Sequence, residues 1–116
     1  MQHNYPLYLE VKQDLEDSIL SGKFLPGQEL PSVRSLAVAY RVNPNTIQRA
    51  LELLREDTLI RLDRKRFSVT ADAAVIRRRS DQKAKLLVAQ LRAVFTELGY
   101  SWEEAVDEIL RFQQAG

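Results

Sequence analysis

Apolar residues recur at helical spacing in five stretches of the chain, so five helices are predicted. The first runs from Leu7 to Ser21 and ends at Gly22, a residue type that commonly closes helices. A turn containing Pro26 and Gly27 follows it. The stripe expected to face inward is Tyr8, Val11, Leu15, Ile19 and Leu20, and the opposite, polar side is Glu10, Lys12, Asp14, Glu16 and Asp17.

Two shorter helices joined by a tight turn are predicted in the segment 30–55. The earlier one should occupy about 32–40, with its serine as the cap. Asn43 followed by Pro44 predicts the next helix start, because an Asn side chain accepts a terminal amide and Pro at the first helical position loses no hydrogen bond. The side chains expected to face inward are Leu36, Ala37, Val42, Ile47, Ala50 and Leu51. This arrangement is typical of a helix-turn-helix that presents its second helix to DNA.

A β-hairpin is predicted after the third helix, which should end near Asp57. Leu59, Ile60 and Leu62 precede a charged cluster at 63–66, and four residues with strand propensity follow it. The two runs would pair as a wing beside the helices. The turn between them lacks the Gly or Asn that hairpin turns favour.

The remainder predicts two helices, one from about Asp72 to Leu98 and one that follows Gly99. Ser101 and Glu104 have the spacing of a capping box, which marks the start of the last helix. The fold class is therefore mainly α with a small β-wing: a winged helix-turn-helix in residues 1–71 and a two-helix tail in 72–116.

Two antiparallel helices cannot enclose the apolar side chains of this tail by themselves. A second copy of the chain would bury them in a symmetric contact, which predicts a homodimer. The residues expected at that contact are Leu87, Leu91, Val94, Phe95, Leu98, Trp102, Val106, Ile109 and Leu110, with Leu86 and Phe112 beside them. Two alternatives stay open: the tail packs back onto its own winged domain, or Tyr100 and Trp102 line a small ligand pocket.

Charge is distributed unevenly although the formal net charge is only +1. Residues 1–57 carry 6 basic and 8 acidic side chains, 58–85 carry 9 and 3, and 86–116 carry 2 and 5. The positive charge of the middle segment is the electrostatic pattern that phosphate binding needs. The chain has no Cys, which excludes thiolate metal sites. His3 is the single histidine and cannot form a Ser/His/Asp triad by itself. No cofactor, catalytic activity or membrane segment is expected, and the protein should be cytoplasmic.

Side chains at the start of a groove-bound helix reach the base edges of DNA. Asn and Gln can bind adenine through two hydrogen bonds, Arg can bind guanine or phosphate, and a Thr methyl can contact thymine. The residues expected to contact DNA are Arg34, Asn43, Asn45, Thr46, Gln48 and Arg49 of the helices, and Arg64, Lys65 and Arg66 of the wing beside Arg61. The alternative is a solvated polar surface. That alternative is the preferred interpretation for a second basic run, which consists of Arg77, Arg78, Arg79, Lys83 and Lys85.

The order PLYLEVKQDLEDSILSGKFLPGQELPSVRSLAVAYRVNPNTIQRALELL resembles the GntR family of bacterial transcriptional regulators, over residues 5–70. The short tail with LGYSWEEA is similar to the YtrA-type subgroup. The resemblance implies a homodimeric DNA-binding repressor without a large effector-binding domain; a small-molecule effector is possible but not indicated. It places DNA contacts at Arg34, Asn45, Thr46 and Gln48.

The chain departs from the family pattern at Pro44, where many relatives have arginine, at Thr58, where they have glycine, and at the wing tip, which contains no glycine. The first departure suggests a different base preference. The last leaves open whether the wing enters the minor groove, since glycine permits close backbone approach. The alternative function is a winged-helix protein-interaction module that does not read DNA.

Overall fold

The structure is a computed structural model that describes residues 5–115, so His3 lies outside the described residues. Its elements are α1 (Leu7–Leu20), α2 (Val33–Tyr40), α3 (Pro44–Glu56), β1 (Ile60–Asp63), β2 (Arg66–Val69), α4 (Ala73–Glu97) and α5 (Trp102–Ala115). The mainly α fold with a small β-wing is confirmed, and each predicted helix end agrees within a residue or so. None of these helices is long and apolar enough to cross a membrane.

The chain divides into two compact units, and the division falls within α4 between Arg79 and Ser80. The first turns of α4 therefore belong to the first unit. The boundary predicted after residue 71 coincides with the start of α4, and its functional meaning stays a prediction.

The core of the first unit forms where α3 packs against α1 and α2. Ile47, Ala50, Leu51 and Leu54 of α3 are fully buried there because they share one side of the helix. Of the six side chains predicted to face inward in the helix-turn-helix, five are buried, and Val42 is half-buried against the same core.

Local side-chain hydrogen bonds set the starts of α2 and α3. The Ser32 hydroxyl accepts a hydrogen bond from the Ser35 backbone N–H at 3.0 Å, and Asn43 Oδ1 accepts one from the Asn45 N–H at 2.8 Å. Between the helices, Arg41 adopts a left-handed backbone conformation with φ of 57°. Both predicted caps are confirmed, and together with the turn they orient α3 against α2.

The wing is an antiparallel hairpin in which Ile60 pairs with Val69 and Asp63 pairs with Arg66. Its turn consists of Arg64 and Lys65, with φ of 51° and 65°. Two successive left-handed residues are the geometry of a type I′ turn, which matches the twist of the paired strands. The hairpin prediction is confirmed, although its turn uses two long basic residues in place of Asn and Gly.

The polar side predicted for α1 was wrong at Glu16, which is fully buried. Its carboxylate accepts a hydrogen bond at 3.0 Å from Nε of Arg79 in the first turns of α4. Arg79 was expected on a solvated helix surface, and it is instead half-buried in this ion pair. The sequence pattern missed the pair because α4 covers a side of α1 that appears polar in isolation.

In the second unit, Ser101 and Glu104 form the predicted capping box. The Ser101 N–H donates to Glu104 Oε1 at 2.9 Å, and the Glu104 N–H donates to the Ser101 hydroxyl at 3.1 Å. The hydrogen bond with the Ser101 backbone, and then that with its side chain, lowers the pKa of Glu104. Nearby, the Tyr100 ring contacts the Phe95 ring edge to face, with centroids 5.1 Å apart.

Candidate nucleic-acid interface

One side of α3 faces away from the core and presents polar side chains. Asn45, Gln48 and Arg49 are exposed on it, and Thr46 is half-buried at its edge. These residues share a side because positions three and four apart on a helix are neighbours. The structure thus brings together the side chains that the sequence predicted to read bases.

Asn43 differs from the others because its side-chain oxygen is engaged in the cap of α3. Its amide N–H groups remain for an external acceptor, and its oxygen keeps one lone pair. The first amides of α3 and the positive end of its dipole lie at the same place, and both favour a phosphate group. The position of Asn43 is therefore suited to backbone contact more than to reading a base.

A groove of about 410 Å³ lies between the wing and the start of α2. It is lined by Arg34 of α2 and by Arg64, Lys65 and Arg66 of the wing, together with Glu29. Arg66 forms an ion pair with Glu29. Among residues 5–115, Arg34, Arg64 and Lys65 form no ion pair, so their charges are available to an anion.

Two residues of this surface were missed by the sequence reasoning. Glu52 lies one turn beyond Gln48, accepts a hydrogen bond from Gln48 Nε2 at 3.4 Å and pairs with Arg55 at 3.5 Å. Its spacing of four from Gln48 was a usable signal. Tyr8 was expected only as an inward-facing residue of α1, yet its ring contacts the guanidinium of Arg49, with Cζ 4.0 Å from the ring centroid. That contact has no local sequence signal.

Comparison with known proteins places this geometry in a family. The model of the bacterial regulatory proteins of the gntR family matches residues 7–69, which is more than half of the chain. The chain belongs to the GntR family. It is 28% identical over 116 residues to the uncharacterized HTH-type transcriptional regulator YhcF of Bacillus subtilis, with 99% of this chain and 96% of YhcF covered. It is 29% identical to the HTH-type transcriptional repressor YtrA of the same organism, with 85% and 75% covered.

Solved structures agree with this assignment. A GntR family transcriptional regulator from Listeria monocytogenes superposes with a TM-score of 0.88 at 28% identity, covering 96% of this chain and 98% of that one. The AraR DNA-binding domain, solved in complex with operator ORR3, matches 60% of this chain and 86% of its own at 27% identity and a TM-score of 0.56. The predicted GntR and YtrA-type membership is confirmed, and this member of the family is a DNA-binding transcriptional regulator.

Proposed function

We propose that this protein is a homodimeric repressor that occupies a palindromic operator and so excludes polymerase or an activator. The observation that carries the proposal is the outward side of α3, where Asn45, Gln48 and Arg49 stand together at the end that a groove-bound helix presents to bases. Double-stranded DNA is the partner, as it is for the AraR domain in its operator complex.

The two sets of cations have different tasks in this proposal. Arg34 sits at the start of α2 in the groove beside the wing, and it contacts a base or a phosphate at the edge of the major groove. Arg64 and Lys65 form the wing tip and follow the phosphate backbone or enter the minor groove. Arg66 contributes less, because Glu29 already neutralises its charge.

Homodimerisation is supported by the apolar surface of the second unit. Leu87, Leu91 and Val94 lie on one side of α4, Leu98 follows its last residue, and these four side chains are 41% to 67% exposed. In the same unit a groove of about 270 Å³ is lined by Leu91, Phe95, Glu108, Ile109 and Phe112. Contiguous apolar surface of this kind is costly in water and marks a protein contact. A second copy of the chain offers the same apolar side chains in return and closes the contact symmetrically.

Repression is supported by the printed name of a relative, since the YtrA protein of Bacillus subtilis is called a transcriptional repressor. The physical route requires nothing beyond occupancy of the operator. Two winged domains in one dimer would address half-sites about one helical turn, roughly 34 Å, apart.

The DNA-binding part of the proposal is tested by fluorescence anisotropy with a duplex from the protein's own promoter and a random duplex of equal length. Arg34→Ala or Gln48→Ala should weaken binding to the promoter duplex by roughly 5- to 150-fold, about 1 to 3 kcal/mol, and weaken random binding less. Lys65→Ala should weaken both and reduce the salt slope by about 1. Equal affinity of the wild type for both duplexes would refute specific regulation and favour the protein-interaction module.

The dimer is tested by analytical ultracentrifugation at micromolar concentration. Leu91→Asp places a charge within the apolar stripe and should convert the dimer to a monomer. Ala89→Asp is the matched control, because Ala89 is exposed on the opposite side of α4 and should leave the dimer intact. A monomeric wild type would reject the dimer, and loss of dimer in both variants would reject the assigned surface.

A further inference from the structure

Arg49 is held differently from the other cations of the candidate interface. Its guanidinium lies over the ring of Tyr8, with Cζ 4.0 Å from the ring centroid. Tyr8 is half-buried in the first turn of α1, whereas Arg49 is exposed on α3. Arg34, Arg64 and Lys65 have neither a ring nor a carboxylate partner among the described residues.

The stacked geometry restricts what Arg49 can do. A guanidinium carries its five N–H donors in its own plane, so a ring against one face leaves the donors at the edge available. The ring limits the rotamers of the long side chain before any ligand arrives. A fixed plane with free edge donors suits a pair of acceptors that lie in one plane.

We propose that Tyr8 is a positioning residue that makes Arg49 select guanine at one position of each half-site. The N7 and O6 acceptors of guanine in the major groove form the planar pair that a fixed guanidinium matches. The inference rests on the proposed function, since it requires that the outward side of α3 reads DNA. Tyr8 itself contacts no base in this arrangement and acts through the orientation of Arg49.

The experiment selects preferred sites from a randomised 30-bp duplex library, with the duplex length chosen at roughly three helical turns to span two half-sites. Wild type, Arg49→Ala, Tyr8→Leu and Tyr8→Phe are compared by the base frequencies at each position. Arg49→Ala should lose the preference for guanine at one symmetric pair of positions. Tyr8→Leu should weaken that same preference by about two- to fivefold, the range of an exposed cation–π contact. Tyr8→Phe keeps the ring and should retain the preference.

A double-mutant cycle separates positioning from a general structural role. Arg49→Lys keeps the charge and the affinity for random DNA but lacks the planar fork that the Tyr8 ring orients, so any guanine preference that it retains should not depend on Tyr8. Tyr8→Leu should then have no further effect on base preference in the Arg49→Lys background. Thermal unfolding checks each variant, and Tyr8→Gln replaces Tyr8→Leu if the latter does not fold.

The outcomes are distinct. If the wild type selects no sequence at all, the proposed function fails and this inference fails with it. If the wild type selects a site but Tyr8→Leu keeps its full guanine preference, only the role of Tyr8 is overturned. If Arg49→Ala lowers affinity equally for every sequence, Arg49 grips phosphate and the inference is likewise overturned.

Discussion

The buried ion pair between Glu16 and Arg79 should be one of the largest single polar contributions to the stability of the first unit. Glu16 is 0% exposed, whereas the Arg79 side chain is 35% exposed. Replacing Arg79 with Ala leaves a fully buried carboxylate without its guanidinium partner. Breaking a fully buried pair costs about 3 to 5 kcal/mol in free energy of unfolding, and we expect the lower end of that range here because Glu16 keeps a further interaction and Arg79 is partly exposed. That is a large part of the roughly 5 to 15 kcal/mol that stabilises a typical domain.

Replacing Glu16 should lower the free energy of unfolding by less than replacing Arg79, because the two partners are unequally buried. Glu16→Gln retains a hydrogen-bond acceptor of the same shape, and the partly exposed guanidinium can turn toward water. We expect a loss of about 1 to 2 kcal/mol, in the range of a hydrogen bond to a charged group. Arg78→Ala is the matched control, because Arg78 is the neighbour of Arg79 in the chain but its side chain is exposed. Its loss should change the free energy of unfolding by less than about 0.5 kcal/mol.

The assay is urea denaturation followed by far-ultraviolet circular dichroism at one fixed protein concentration, because dimerisation would otherwise shift the midpoint. Trp102 is the single tryptophan and lies in the second unit, so its fluorescence does not report on this pair. Equal losses for Arg79→Ala and Arg78→Ala, or a greater loss for Glu16→Gln than for Arg79→Ala, would refute the reasoning from burial.

Two further predictions concern the wing and the tail. Arg64→Asn combined with Lys65→Gly supplies the residues that a type I′ turn favours, and it should raise the free energy of unfolding by about 1 kcal/mol. The same change should lower affinity for DNA and reduce the salt slope by about 2, and a variant that is more stable with unchanged affinity would exclude the wing tip from DNA contact. In the tail, the lowered pKa of Glu104 means that its stabilisation is present above the ordinary carboxyl pKa and is lost as the pH falls through the lower, folded value. Thermal melts from pH 7 to pH 3 should therefore show a smaller pH dependence in Glu104→Gln, which removes the titrating carboxylate, than in the wild type, and identical curves would contradict this contribution of the capping box.

The parts of the fold that the sequence predicted correctly are those governed by neighbours in the chain. The cap of Asn43 and Pro44 acts within two residues, and the box of Ser101 and Glu104 acts within three. Helical spacing likewise identified the inward side of α3. The hairpin was predicted from strand propensity, but the left-handed turn at Arg64 was not, because its residues lack the usual preference for that conformation.

Four of the long-range contacts that the sequence could not predict converge on α1. Its side chains bind four other parts of the first unit across long separations in sequence: Tyr8 to Arg49, Lys12 to Asp57, Asp14 to Tyr40, and Glu16 to Arg79. Burial, and then the hydrogen bond with Asp14, raises the pKa of Tyr40.

An amphipathic pattern divides a helix into a core side and a polar side, but it cannot tell whether water or another element meets the polar side. In α1 the polar side meets other elements: Lys12 pairs with Asp57, Asp14 accepts a hydrogen bond from Tyr40, and Glu16 pairs with Arg79 of α4. Substitutions on α1 should therefore change DNA selection and stability without any contact between α1 and a base. The orientation of α3 within the first unit is therefore set by its packing against α1 as well as by the turn that precedes it.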